Sequence, residues 1–355
     1  MRIALFNRGS ATLHTLPVLF QPFRLLTEAS NRTAWQIKYR YMVISEITRE
    51  IKTEAQRLGF SACGIAKAEP VEAKVADNYR KWIDEGKNAD MAYLQNNLEK
   101  RLNPLLLMPE AKSIISLALN YYPERKLGDD QYQFAYYAYG QDYHDVIKSK
   151  LFQLSSSIQE MAGTSVVTKP CVDTVPMLDR YWAWKAGLGW IGKNTNLIIP
   201  HSGSFFFLAE LIVDIELEYD APMPSHCGTC TRCIDACPTH ALETPYTINA
   251  NRCLSYLTIE HRGDIDQHIT HDSELTTLPY VYGCDRCQLA CPHNRFAQPT
   301  SVKEFTPTEA FLSMRPSDWK SLTVEQYRTL FKGSAVKRAK YEGLIRNISL
   351  VKDDD

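Results

Sequence analysis

The sequence predicts a mixed fold (α+β / α/β) that leads into a cysteine-rich segment and closes on a short helical tail. Three observations carry this. Ahead of residue 222, apolar runs of strand length alternate with segments of helical period, the pattern of helices layered on a sheet. Eight of the ten cysteines fall between Cys227 and Cys291. From residue 299 the chain returns to short helical stretches. The expected organisation is an N-terminal extension (1–41), an α/β domain (42–222), a cluster domain (223–298) and a helical segment (299–355).

Residues 1–41 show no clear period. Met42 is followed at once by Ile44, Ile47, Ile51, Ala55 and Leu58 on one helical face, ended by Gly59 as a C′ glycine would end it. Met42 is therefore an expected start of translation. Residues 60–65 read as a short buried strand, and 71–83 as a second helix. Residues 97–104 are a polar segment stopped by Pro104. The run SIISLALNY at 113–121 is a buried strand by its unbroken apolar character. An aromatic stretch, 134–139, leads into Gly140-Gln141-Asp142-Tyr143-His144. A helix follows to about Met161, with Val146, Ile147, Leu151, Leu154, Ile158 and Met161 on its apolar side.

Residues 166–172 are another strand. The next helix is expected to begin at Asp173-Thr174-Val175-Pro176, with Asp173 or Thr174 as cap and Pro176 in the first turn. A glycine-rich loop spans 187–195, and 205–217 is a long apolar strand. Residues 222–226 link to the cluster domain.

Composition narrows the class. The 355 residues leave room for two or three domains with full cores. They are 45% apolar and 23% charged, ordinary for a globular chain. A net charge of -1 provides no global field for nucleic acid or membrane, so an anionic partner needs a local basic patch. No apolar run reaches the length of a membrane span. Residues 13–26 are broken by Pro17, Pro22 and Arg24 and do not read as a secretory signal. The expected location is the cytoplasm.

The cysteines read Cys227-x-x-Cys230-x-x-Cys233-x-x-x-Cys237-Pro238, then Cys253, then Cys284-x-x-Cys287-x-x-x-Cys291-Pro292. In a bacterial two-cluster ferredoxin, three closely spaced thiolates hold one [4Fe–4S] cube and the fourth cysteine of the run ligates the other. Cys227, Cys230, Cys233 and Cys291 would then hold one cluster. Cys237, Cys253, Cys284 and Cys287 would hold the second. A zinc site needs pairs of ligands and does not account for three cysteines at x-x spacing with proline after each fourth. Disulfides suit small secreted frameworks. Cys63 and Cys171 are left over as buried free thiols.

Clusters pass single electrons, so the domain in front must house the electron's destination. The string G-L-G-W-I-G at 187–192 matches a dinucleotide fingerprint, but it follows a helix and not a strand, and fails that test. The Asp-x-His-x-x-Gly signature of one cobalamin class is also missing after Asp142. Asp173, at a strand's end, could donate a proton if an apolar cofactor face desolvated it and raised its pKa. Its plainer reading is a helix cap. Asp142 reads equally as a cap, and His144 as a structural histidine. The tail carries Lys332, Lys337, Arg338, Lys340 and Arg346 against one acid, Glu342. That is either a phosphate-facing patch or a solvated helix face.

Several strings, together with the cysteine runs, make a specific set. They are Glu99-Lys-Arg101, Gly140-Gln-Asp-Tyr-His144, Val172-Asp-Thr174, Ala186-Gly-Leu-Gly-Trp-Ile-Gly-Lys-Asn194, Gly203-Ser-Phe-Phe-Phe-Leu-Ala-Glu210, Arg252-Cys-Leu-Ser-Tyr-Leu-Thr-Ile-Glu260 and Gly283-Cys-Asp-Arg-Cys-Gln288. Over residues 42–350, and in the same order, the chain resembles the epoxyqueuosine reductase family.

That resemblance implies a cobalamin-binding catalytic domain like that of reductive dehalogenases, followed by a two-cluster ferredoxin-like domain. It implies reduction of epoxyqueuosine to queuosine at the wobble position of tRNA, using cob(II)alamin and two [4Fe–4S] clusters. Asp173 would be the proton donor. Arg101, Ala135, Asp173, Leu197, Leu208 and Leu254 fall at cobalamin-contacting positions; some relatives have a cysteine where Ala135 stands. His261 and Arg262 fall at a tRNA-contacting position, with Lys337 and Arg338 as further basic candidates. The stretch from Ala335 resembles the opening of a HEAT-like repeat. A low-potential donor such as flavodoxin or ferredoxin, a monomeric state and no membrane association complete the expectation. The rivals are a dehalogenase-like cobalamin enzyme for a small molecule, a plain electron-transfer module, and a zinc-stabilised tRNA-binding protein.

Overall fold

A computed structural model of the chain describes residues 29–265 and 279–351, and divides into two compact units, 1–43 and 44–355. The strands are β1 (Ala62–Lys67), β2 (Ser113–Asn120), β3 (Gln133–Phe134), β4 (Thr168–Cys171), β5 (Trp190–Ile191), β6 (Leu197–Ile198), β7 (Phe206–Val213) and β8 (Tyr280–Tyr282). The principal helices of the sheet region are α1 (Ala29–Arg57), α2 (Ala73–Asp84), α3 (Leu98–Leu102), α4 (Tyr143–Ala162) and α5 (Asp179–Lys185). Helix α1 begins upstream of Met42, the expected start; residues 1–28 lie outside the described part.

The central sheet has the order β1-β2-β7-β4, and every neighbouring pair is antiparallel. The fold is therefore α+β; a parallel α/β core is not present among the described residues. The apolar runs misled on this point for a physical reason. Both β2 and β7 are buried along nearly their whole length, because both faces of the sheet are covered. An unbroken apolar strand reports two-sided burial and says nothing of strand direction. One face packs Ile115, Leu117 and Leu119 against Ile51 and Ala55 of α1 and Ile147, Leu151 and Leu154 of α4. The other packs Ile114, Ala118 and Ile212 against Trp182 and Ala183 of α5. Helix α5 starts at Asp179, so residues 172–178 form a loop and neither Asp173 nor Thr174 caps it.

Short helices α6 (Arg232–Asp235), α7 (Leu254–Ile259) and α8 (Arg286–Leu289) carry the cysteine region. The tail holds α9 (Glu309–Leu312), α10 (Pro316–Lys320), α11 (Val324–Leu330) and α12 (Lys340–Leu350). It is not a loose appendage. Phe311, Trp319, Phe331, Val336, Leu344 and Ile348 form one core with Phe134 of β3 and Tyr282 of β8. Those two strands pair in parallel. Trp319 is fully buried, and truncating such a side chain costs about 3–5 kcal/mol.

The tail also grips the start of α4. The Gln141 N–H donates to the Glu304 carbonyl at 2.7 Å and the Asp142 N–H to the Gly333 carbonyl at 2.6 Å. Gly140 is required there, since a Cβ would lie 2.4 Å from the Phe305 Cα.

Candidate active site and cluster ligands

Asp173 sits in the loop between β4 and α5 at φ 43°, in the left-handed region that aspartate tolerates better than most residues. The Thr174 N–H and hydroxyl both donate to the Val172 carbonyl, which tightens the turn. Arg101, almost fully buried, pins the loop's far side. Its Nη1 donates to the Met177 carbonyl at 2.9 Å and its Nη2 to the Tyr93 carbonyl at 3.1 Å.

The partners of Asp173 come from the N-terminus of α4, some 30 residues upstream. The Tyr143 hydroxyl donates to Asp173 Oδ2 at 2.7 Å. His144 Nε2 lies 3.4 Å from the same oxygen. His144 Nδ1 lies 2.6 Å from Asp142 Oδ1, while Asp142 caps α4 by accepting from the His144 backbone N–H at 3.1 Å. Tyr143 is stacked between His144 and Phe207 of β7, with ring centroids 4.1 Å and 4.3 Å away. The strand thus fixes Tyr143, and Tyr143 orients the carboxylate.

The protein's own groups act on Asp173 in the opposite sense to the cofactor face expected to raise its pKa. Its side chain is 59% exposed. Hydrogen bonding to His144 holds its pKa below the ordinary value, with Tyr143 adding and burial only partly opposing. Asp142 is lowered as well, chiefly by His144. His144 is pushed up to about 9, first by Asp142 and then by Asp173. At neutral pH the resting site is a carboxylate–imidazolium–carboxylate chain, Asp142–His144–Asp173. Asp142 is the cap that was expected. His144 faces Asp173 as well as Asp142, a contact made by the chain reversal that brings α4 over the 172–178 loop.

All ten cysteines are free thiols, which removes the disulfide reading. Cys227, Cys230, Cys233 and Cys291 line one cavity, shared with Lys193, Asn194 and His293. The other four are also grouped. Burial above all raises Cys284 and Cys287, and the thiols of Cys253 and Cys237 are near enough to add to it, with Cys284 and Asp285 also raising Cys287. Cys253 lies outside the cysteine runs and reaches the set because α7 begins directly after it.

The glycine-rich loop has a role that its sequence did not disclose. Lys193 Nζ donates to the carbonyls of Gly228 and Cys230 at 2.7 and 3.0 Å. Asn194 Nδ2 donates to the Cys287 carbonyl at 3.3 Å. One loop of the sheet region thereby holds both cysteine segments. A second tie joins the start of β7. Asn294 accepts from the Ser204 N–H at 2.6 Å and donates to the Gln288 carbonyl at 2.6 Å. Asp285, between Cys284 and Cys287, accepts from the Tyr136 N–H at 2.7 Å; burial pushes its carboxyl up to about 7.

The remaining expected residues divide into groups. Leu197 and Leu208 share the apolar cluster of the α5 face with Met177, whose carbonyl Arg101 holds. Ala135 is buried beside Gly283, its N–H bonded to the Tyr282 carbonyl, and Leu254 opens α7. The basic candidates meet on one side. Arg338 forms a two-pronged bond to Glu260 and lies 5.7 Å from the Tyr93 ring. Arg262 donates to the Arg338 carbonyl at 2.8 Å. His261 lies 3.7 Å from Asp90. Lys337 is exposed. Arg346, expected in the patch, instead braces the carbonyls of Leu257, His261 and Gly263.

Residues 226–294 match a family model described as "4Fe-4S double cluster binding domain". Fold and site together thus define an iron–sulfur oxidoreductase. Residues 101–174, which include Arg101, His144 and Asp173, match the model "Epoxyqueuosine reductase QueG, DUF1730". The chain is 49% identical over 302 residues to the epoxyqueuosine reductase of Cellulophaga algicola, covering 85% of this chain and 97% of that one. It is 35% identical over 319 residues to that of Escherichia coli, covering 86% and 81%. Among solved structures it resembles an epoxyqueuosine reductase with an epoxyqueuosine-modified tRNA-Tyr stem loop (TM-score 0.77, 30% identity, 86% of this chain and 80% of that one). It also resembles the Bacillus subtilis enzyme with its catalytic loop swung out of the active site (TM-score 0.76, 29% identity, 86% and 80%). The chain belongs to the epoxyqueuosine reductase family.

Proposed function

We propose that this reductase acts on epoxyqueuosine at the wobble position of tRNA, the last step of queuosine synthesis. Cobalamin is its reductant, two [4Fe–4S] clusters are its electron path and Asp173 is its proton-delivering residue. The observation that carries the reading is the meeting of acid and cysteines on one aromatic layer. Tyr143, bonded to Asp173, has its ring 6.4 Å from that of Tyr137. The next residue back, Tyr136, bonds Asp285 beside Cys284. Electron delivery and proton delivery therefore end a few side chains apart.

The residues fit the cofactors. Two sets of four thiols, Cys227, Cys230, Cys233 and Cys291, and Cys237, Cys253, Cys284 and Cys287, are the donor set of two cubane clusters. Arg101 Nε is buried without a partner, and a buried donor needs an acceptor; a carboxamide oxygen at the rim of cobalamin would supply one. Leu197 and Leu208 offer the neighbouring apolar surface, and Ala135 and Leu254 would add backbone contacts. When bound, cobalamin supplies a strong reductant and the clusters pass it single electrons.

The chain's own part is positioning and proton delivery. Tyr143 and His144 aim the Asp173 carboxylate, and Arg101 fixes the loop behind it. The exposed Lys337 would meet tRNA phosphates, beside Arg338, which Glu260 already holds, and beside Arg262 and His261. The reading takes a low-potential flavodoxin or ferredoxin as donor, a monomer, and the cytoplasm as location. No described helix is long and apolar enough to cross a membrane.

Anaerobic purification with cobalamin tests this. About eight irons and one cobalt per chain are expected, with turnover of tRNA containing epoxyqueuosine. Iron without cobalt would leave an electron carrier, and lack of turnover on that tRNA would remove the substrate assignment. In the variant Asp173→Asn both metals should stay while kcat falls by roughly 10²–10⁴. Full activity there would remove Asp173 from the reaction.

A further inference from the structure

Converting an epoxide to an alkene takes two electrons and two protons, both protons ending on one oxygen, which leaves as water. A carboxyl group holds one proton, and Asp173 in the resting site holds none, because His144 and Tyr143 keep it ionised. The reaction therefore needs Asp173 to deliver a proton twice and to be recharged in between.

We propose that His144, held by Asp142, is the proton port of this site, passing each proton from Nε2 to Asp173 Oδ2 and so to the departing oxygen. The inference rests on the reading above that Asp173 faces the epoxide. The geometry is direct. Nε2 faces Asp173 Oδ2 at 3.4 Å, and Nδ1 is locked on Asp142 Oδ1 at 2.6 Å. Asp142 fixes the tautomer, so the neutral ring keeps Nδ1–H towards Asp142 and presents an Nε2 lone pair to Asp173. The ring is 33% exposed, which lets water return the proton.

The balance closes. The first proton lands on the epoxide oxygen as one C–O bond breaks. The second releases that oxygen as water when the other C–O bond breaks and the alkene forms. The low-potential donor named above supplies the two electrons. After each transfer, solvent recharges the ring.

Other charged and titratable groups face this chain, in both senses. Asp142 and Asp173 face the imidazole itself. Tyr143 and Arg101 stabilise the Asp173 carboxylate. Arg338 and Tyr93 lie within electrostatic range of Asp173, as does Asp179 of α5. A purely structural His144 would not need the Asp142 side chain on its ring, since Asp142 already caps α4 through the His144 backbone N–H. His144 is a positioning and relay residue, acting through Asp173.

His144→Gln separates relay from scaffold, because an amide can donate a hydrogen bond but cannot carry the proton. In cluster-loaded, cobalamin-bound enzyme acting on epoxyqueuosine tRNA, wild-type kcat should fall above about pH 9, where His144 loses its charge. The glutamine variant should lose roughly tenfold to a hundredfold in kcat, the low end of a general-acid contribution. Its KM for tRNA, iron and cobalt content should be unchanged and its alkaline fall abolished. A glutamine variant within twofold of wild type, with the same pH profile, overturns the proposal. A second reading does not depend on turnover: ¹⁵N-histidine NMR of the wild type should place the His144 midpoint well above the ordinary value of 6.5, and Asp142→Asn should lower it. A midpoint at or below that value also overturns it. If the wild type fails to reduce the tRNA nucleoside at all, the substrate assignment fails, and the NMR titration still decides whether His144 holds the proton.

Discussion

Glu210 is a buried acid in the middle of the central sheet, and replacing it with glutamine should stabilise the protein at high pH. The register places Glu210 of β7 between Ser116 of β2 and Cys171 of β4. It is fully buried. Its carboxyl faces that of Asp179, and the neighbouring Ser116 Oγ has no hydrogen-bond partner. Burial raises Asp179 from 3.8 to about 6, and burial with the nearby Asp179 charge raises Glu210 well above 4.5. Each group thus binds its proton more tightly folded than unfolded. Its stabilisation is complete below the unfolded pKa and is lost as pH rises through the folded one. The Asp179 change alone corresponds to roughly 3 kcal/mol lost between about pH 4 and pH 6. Glu210 adds a loss of the same sign extending to higher pH. A glutamine amide at this position cannot ionise and does not repel Asp179. The variant Glu210→Gln should therefore match the wild type near pH 5 and be the more stable of the two at pH 8, its apparent Tm falling less between those values. Far-UV circular dichroism melts at one scan rate, at pH 5, 6.5 and 8, would read this. A variant that melts below wild type by the same margin at all three pH values would show that Glu210 is a paired, ionised carboxylate, and would refute its assignment as a strained acid.

Two further outcomes are expected. Cys253→Ala should cost the second cluster alone, lowering iron from about eight to about four per chain and leaving the cavity of Cys227, Cys230, Cys233 and Cys291 filled; full iron content would exclude Cys253 as a ligand. Lys337→Ala should weaken tRNA binding and reduce the slope of log K against log salt by about 0.7–0.9, since Lys337 is exposed while Arg338 is occupied by Glu260; an unchanged slope would place Lys337 away from the RNA.

What the sequence disclosed follows from how local each signal is. The cysteine runs name their own chemistry, because spacing within a run decides which thiols can share a cube. Strands β2 and β7 were legible from apolar continuity. Their antiparallel pairing was not, since it depends on where the chain turns over distances no period reports. The start of α5 was misplaced because Pro176 and Asp173 make a plausible first turn on paper, whereas Arg101 and the Val172 carbonyl hold those residues as a loop. The pKa of Asp173 was the least legible quantity. Its sign depends on Tyr143 and His144, and an aspartate at a strand's end carries no mark of which residues will face it. Arg338 looked like a free cation until Glu260, 78 residues earlier in the chain, came to meet it.

The grip of the tail on Gln141 and Asp142 also has a consequence for how the protein comes into being. The sheet, the glycine-rich loop and every cysteine are synthesised before residue 300. The carbonyls of Glu304 and Gly333 are not. Until they arrive, the backbone donors of residues 141 and 142 lack these two partners, and the turn that carries His144 lacks its support. A nascent or prematurely released chain would be able to gather iron before it could hold its proton pair in place. A segment synthesised after every cysteine is in this sense the arming step: the turn that carries His144 waits for the carbonyls of residues 304 and 333.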